Sequence, residues 1–244
     1  TKFGSDFPKQ YLTEHKINLI NPESKKNTTK FSISISGSDR TLKLENECDP
    51  IEYSNLDADG HIVSPIFHEI SDDLFKQIKS DSNFLFVDPQ GFLRQKDSNN
   101  NIILKKTDLD LSNVNAIKIN PEEGQNIVSG SHDEMMLALQ KKGIEYVLLT
   151  NKVDVSLLVK NRVYSLKLPN KNIHDTTGIG DIFCSTFTCT MLKEKDFLWA
   201  LCFAAGSAQA ALESNNVGLQ KIPKKGMVEN NASYFYNLVD FRDL

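Results

Sequence analysis

Apolar and small polar residues alternate strictly through Phe31-Ser32-Ile33-Ser34-Ile35-Ser36, and residues 41–44 repeat the alternation after Gly37-Ser38-Asp39-Arg40. A period of two gives one dry and one wet face, so this stretch predicts a β-hairpin that packs on a core or covers a ligand. Before it, the pattern predicts a helix over residues 8–15 and a short strand over 17–20. From about residue 55 the period changes. Ile62-Val63 and Phe84-Leu85-Phe86-Val87 are unbroken apolar runs, as in strands buried on both faces, with a helix predicted over 71–80 between them. The strand 116–119, the helix 132–142 and the strand 146–150 continue the rhythm, and 153–159 with 163–168 read as a second hairpin. Two helices follow, over about 181–193 and 196–213, the second burying Phe197, Leu201, Ala205, Ala208 and Leu212. Alternating strands and helices imply an α/β fold, a mostly parallel sheet with helices on both faces.

The opening residues read as the end of a strand and a turn. A parallel sheet beginning there lacks its first strands, so the expectation is one α/β domain over residues 1–244, incomplete at its N-terminus, with the hairpin segment 28–46 inside it.

Composition narrows the class. With 28 Lys and Arg against 32 Asp and Glu, the net charge of −4 supplies no basic excess for nucleic acid or lipid, so neither is expected as a partner. The four cysteines form no CxxC pair; Cys184 and Cys189 fall roughly 140° apart on a helix, too far to share a metal. They read as reduced thiols of a cytoplasmic protein. No apolar run approaches the roughly 20 residues of a membrane span.

Ligands of such sheets bind beyond the carboxyl ends of the strands. Three loops there carry suggestive residues. One is Asp88-Pro89-Gln90-Gly91-Phe92-Leu93-Arg94, another is Asn120-Pro121-Glu122-Glu123, and the third is Asp175-Thr176-Thr177-Gly178-Ile179-Gly180-Asp181, which runs into a helix. Two glycines ahead of a helix present free amides, and the helix's positive end attracts a phosphate. Asp181 can take a proton from a hydroxyl beside it. The plain alternative is a helix start with Asp and Thr as caps. His61, His68, His132 and His174 have no spaced metal or nucleophile partner and read as loop or satisfied histidines. No Gly-x-x-x-x-Gly-Lys-Ser/Thr run exists, which excludes a P-loop kinase.

Asp175 to Asp181 resembles the C-terminal Asp-Thr-x-Gly-x-Gly-Asp signature of the ribokinase-like, or PfkB, carbohydrate kinases. Asn120 to Glu123 is similar to that family's Asn-x-x-Glu motif, and Asp88 to Arg94 resembles Asp-x-Gln-Gly-Phe-x-Arg of its inositol-kinase-like subgroup. The resemblance runs from Phe3 to about Gly218. It implies a ribokinase-like fold with a small β lid at 28–46, and an ATP-dependent kinase for a sugar or polyol hydroxyl, inositol first. A ribose or nucleoside kinase, or a catalytically silent sugar-binding regulator, are the alternatives. It further implies Asp181 as base and the amides of Gly178, Ile179 and Gly180 as the anion hole. Asn120 and Glu123 would organise Mg2+ through water, Arg94 and Gln90 would contact substrate, and Asp175 and Thr177 would contribute to the monovalent-cation site, with K+ as its ion, of some members. The lid implies a homodimer.

Two departures stand out. Ile179 replaces the family's usual Ala, which leaves its amide in place. Asn151-Lys152-Val153-Asp154 replaces the glycine-rich turn on the adenine side.

Overall fold

The structure, a computed structural model, describes residues 2–36, 39–169 and 175–244. The chain begins with α1 (Gln10–Glu14) and the antiparallel hairpin β1 (Lys30–Ser36) and β2 (Asp39–Asn46), where the alternation predicts it. Gly37 and Ser38 of its turn lie outside the described residues, as does His174. The predicted strand at 17–20 does not form. Those residues pair with no strand among the described residues, and Ile17 and Ile20 remain largely exposed.

The parallel core follows as β3 (His61–Val63), α2 (Asp72–Asp81), β4 (Leu85–Val87) and the one-turn α3 (Gln90–Leu93). A small hairpin, β5 (Arg94–Lys96) with β6 (Ile102–Leu104), leads to β7 (Ala116–Ile119), α4 (Pro121–Ile127), α5 (His132–Lys141) and β8 (Tyr146–Asn151). Then come β9 (Asp154–Val159), β10 (Arg162–Lys167), α6 (Ile179–Glu194), α7 (Phe197–Leu212), a 3-10 turn (Gly218–Lys221), α8 (Lys225–Tyr236) and β11 (Asp240–Asp243).

Seven strands form the central sheet in the order β11-β10-β9-β8-β7-β4-β3. β3, β4, β7 and β8 run parallel; the β8-β9-β10-β11 half is antiparallel. Strand periodicity sorts the core into two layers. Phe86, Ala116, Leu148 and Leu157 point to α6 and α7, whereas Val87, Ile117, Ile119, Val147 and Leu149 point to Phe75 of α2 and to Met136 and Leu139 of α5. Residues two places on keep the same face, so Asp88 follows Phe86, and Lys118 follows Ala116, onto the α6 side.

Local chemistry explains the helix starts. Asn120 and Ser131 each close a capping box, with Glu123 and Glu134, and Ser71 and Asp196 accept first-turn amides. Of the five residues expected to be buried on α7, Leu201, Ala205 and Ala208 are fully so, while Phe197 and Leu212 pack at the margin. The small residues of α7 also admit α8: a Cβ on Gly206 would stand 2.9 Å from the Val228 carbonyl oxygen.

Candidate active site

Because β3, β4 and β7 are parallel, their following loops share one edge of the sheet, and the N-terminus of α6 lies over it. Gly178, at φ +78°, turns the chain into α6, a conformation that a side chain disfavours. Asp181 sits in the first turn, and its Oδ1 accepts a 2.9 Å hydrogen bond from Ser64 Oγ just beyond β3. Protein around Asp181 raises its pKa above the ordinary aspartate value, a shift that the Ser64 hydrogen bond opposes.

The amides of the turn are not equivalent. Ile179 N–H makes a long 3.3 Å bond to the Thr176 carbonyl, and Ile182 N–H donates to Gly178 at 3.0 Å. Gly180 and Asp181 are first-turn positions whose amides have no intrahelical acceptor.

Beneath Gly180 lies a buried ion pair. Lys118 Nζ donates to Asp88 Oδ2 at 2.7 Å, and a Cβ on Gly180 would come within 3.4 Å of that ammonium. Burial alone would lower the Lys118 pKa, but the charges of Asp88 and Glu123 outweigh it and keep the lysine protonated. Glu123 is itself buried, which raises its pKa against the pull of Lys118. Its Oε2 accepts the Asn120 amide at 2.8 Å, while Asn120 Oδ1 accepts the Glu123 amide at 2.8 Å. Both predicted magnesium residues thus start α4, and the Glu123 carboxyl also faces this cluster.

Arg94 Nη1 donates to the Ile66 carbonyl at 3.1 Å, and its guanidinium lies 5.3 Å from the centre of the Phe31 ring, tying β1 to the site. Gln90 is half-buried on α3, and its backbone N–H donates to Asp88 Oδ1 at 3.3 Å. Asp175 Oδ1 accepts the Thr177 amide at 2.9 Å. Lys221 reaches the same turn, bonding Asp175 Oδ2 at 2.7 Å and the carbonyls of Asp175 and Thr177 at 2.9 and 3.1 Å.

Thr177, Gly178 and Asp181 open on a cavity of about 1150 Å3 whose other walls include Phe203, Val217 and Leu219. Across the sheet edge, Lys152 and Val153 form a two-residue turn between paired Asn151 and Asp154. His61 and His68 are satisfied, by Ser82 and by the Arg94 carbonyl. Among the described residues no helix is long and apolar enough to cross a membrane, and no cluster of three ligating side chains could hold a metal.

Residues 17–225 match the model of the pfkB family carbohydrate kinases. The chain belongs to this family. As a PfkB carbohydrate kinase it has the ribokinase-like α/β fold, and solved structures agree. A pyrophosphate-dependent kinase of the ribokinase family in a sulfate complex aligns with a TM-score of 0.76 at 20% identity, over 90% of this chain and 80% of that one. Another pyrophosphate-dependent kinase structure of that family, complexed with a pyrophosphate analog and myo-inositol, aligns at 0.75 and 20%, over 96% and 84%. Ribokinase from Thermotoga maritima aligns at 0.73 and 15%, over 96% and 80%. No curated protein matches the chain.

Sequence reasoning missed Ser64, Lys118 and Lys221. Lys118 had a signal, a lone charge inside the apolar strand Ala116–Ile119. Ser64 showed only as a polar residue directly after a buried strand, and Lys221 had no local signal.

Proposed function

We propose that this PfkB kinase transfers the γ-phosphoryl group of ATP to a hydroxyl of a small polyol or sugar, with inositol the first acceptor. One observation carries the reading: Asp181 and the amide-rich start of α6 open on the same cavity. Asp181 takes the proton of the acceptor hydroxyl, its raised pKa making it a stronger base than an exposed aspartate. The amides of Gly178 and Gly180, joined by Ile179 as its long turn bond yields, receive the charge on the moving phosphoryl group. Arg94 and Gln90 hold the acceptor at the β4 side. Phe203, Val217 and Leu219 give the donor pocket the apolar walls that suit a purine.

Asn120 and Glu123 are each already bonded to the other's amide. They fit an Mg2+ that arrives with donor phosphates and keeps its waters rather than one caged by protein. Bound there, the ion neutralises phosphate oxygens. Residues 28–46 act as a lid over the acceptor and as the contact between two copies; the Phe31–Arg94 stacking supports the first part. The whole of residues 1–244 works as one domain, and the free cysteines suit the cytoplasm.

A second reading of the donor has its own support. The two-residue turn at Lys152 and Val153 supplies no extended loop for a base, and the similar structures quoted above include pyrophosphate-dependent kinases. Initial rates with ATP and with pyrophosphate, each with inositol, separate the two. Replacing Asp181 by Asn abolishes turnover with either donor, and full activity in that variant removes the proposed base.

A further inference from the structure

Lys221 ends the 3-10 turn far along the chain from the anion turn, yet its side chain is only 2% exposed and its ammonium is aimed into that turn. An ammonium has three N–H donors. Here they meet three oxygens: Asp175 Oδ2 at 2.7 Å, the Asp175 carbonyl at 2.9 Å and the Thr177 carbonyl at 3.1 Å.

The consequence for the site follows from peptide geometry. The Thr177 carbonyl and the Gly178 amide belong to one peptide group, and the described residues contain no cis bond. In a trans peptide the C=O and N–H point in opposite directions. Holding the Thr177 carbonyl toward Lys221 therefore turns the Gly178 N–H away from it, and Gly178 lines the cavity that Asp181 also faces. The oxygen atoms that a free monovalent cation would need at Asp175 and Thr177 are the ones Lys221 already holds. K+ does not fit the turn as it stands.

We infer that Lys221 is a tethered cation that positions the Gly178 amide for the donor phosphate and frees this kinase from any need for a soluble monovalent ion. The inference rests on the reading of the turn as the phosphate site. Asp175 supports it: its carboxylate meets both the Lys221 ammonium, at 2.7 Å, and the Thr177 amide, at 2.9 Å, so the cation and the turn are tied through one side chain.

The test compares the unmodified protein with Lys221→Ala in tetramethylammonium buffer, with K+, NH4+, Na+ or Li+ added. The unmodified protein keeps its rate whichever ion is present. Lys221→Ala loses on the order of 10² in kcat/KM, the scale of one lost or misplaced oxyanion donor. The loss appears in kcat as well as in the donor's KM, and K+ or NH4+ restores at least about a tenth of the original rate while Li+ does not. Activation of the unmodified protein by K+ overturns the inference, and so does a variant that is fully active in tetramethylammonium or that no cation rescues. The melting temperature gives a second reading independent of catalysis: K+ raises it in Lys221→Ala and leaves the unmodified protein unchanged. Should neither protein turn over any acceptor, the kinase reading fails while this thermal comparison still decides the role of Lys221. Should Lys221→Ala not fold, the response of the unmodified protein to K+ decides alone.

Discussion

Ser64 and Asp181, 117 positions apart in sequence, meet through a 2.9 Å hydrogen bond from the serine hydroxyl to the aspartate Oδ1. The bond fixes the carboxylate that we assign as base and favours its charged form, whereas the surrounding protein favours the neutral one. A base works deprotonated, so the acid limb of the kcat/KM profile lies above the ordinary aspartate range, and activity falls as pH drops through it. Ser64→Ala removes an influence that lowers the pKa. Its acid limb moves further up, with a rate loss of up to about tenfold at neutral pH, the scale of a modest hydrogen bond. A pH–rate series on both proteins reads this directly, and an unmoved limb contradicts the role of Ser64.

Asp181→Asn separates function from folding. A carboxyl whose folded pKa is raised binds more protons native than unfolded in the window between the two values, so its burden on stability appears as pH rises through that window. At neutral pH the asparagine variant therefore melts no lower than the parent, and its advantage disappears as the pH falls below the ordinary aspartate pKa. Thermal melts across pH test this.

Lys118 and Asp88 show how much of the site is buried charge. Their side chains are 10% and 4% exposed at 2.7 Å separation, and removing one strands the other. Lys118→Met costs about 3–5 kcal/mol by denaturant unfolding, the range for a broken buried pair. The double change Lys118→Met with Asp88→Leu recovers part of it, because Asp88 is no longer stranded, while buried Glu123 still loses the charge of Lys118. Equal losses in single and double variants contradict this account.

Gly91 marks a close approach. A Cβ there would lie 2.4 Å from the carbonyl carbon and oxygen of Pro65, backbone that cannot swing aside as a side chain can. Gly91→Ala displaces the 64–66 segment that bonds both Asp181, through Ser64, and Arg94, through Ile66. The expected cost is about 1–3 kcal/mol of stability, with a rise in acceptor KM larger than in donor KM. Steady-state kinetics with each substrate varied in turn measure it.

Periodicity made most of the fold legible. Unbroken apolar runs marked β3 and β4, alternation marked the β1–β2 hairpin, and the strand–helix order implied the layers. What stayed hidden depends on partners that local pattern does not encode. β11 is exposed throughout and forms only because β10 offers an edge. The 17–20 stretch has strand-forming residues and, among the described residues, no neighbour that pairs with it. At the site, Asp181, Gly178 and Gly180 announced themselves because glycines, a carboxylate and a helix start stand together in sequence. Ser64, Lys118 and Lys221 reach the same place from three separate segments, and only the folded chain brings them there.

The central claim is a phosphoryl transfer to a polyol, and product formation tests it most directly. The protein is mixed with Mg2+ and either ATP or pyrophosphate, over a panel of inositol, ribose, fructose phosphate and nucleosides, and the phosphorylated acceptor is followed by phosphorus NMR. The account predicts a new phosphomonoester with inositol that disappears in Asp181→Asn. A phosphomonoester formed only from ribose or a nucleoside contradicts the acceptor assignment, and no phosphomonoester from any acceptor with either donor contradicts the account as a whole.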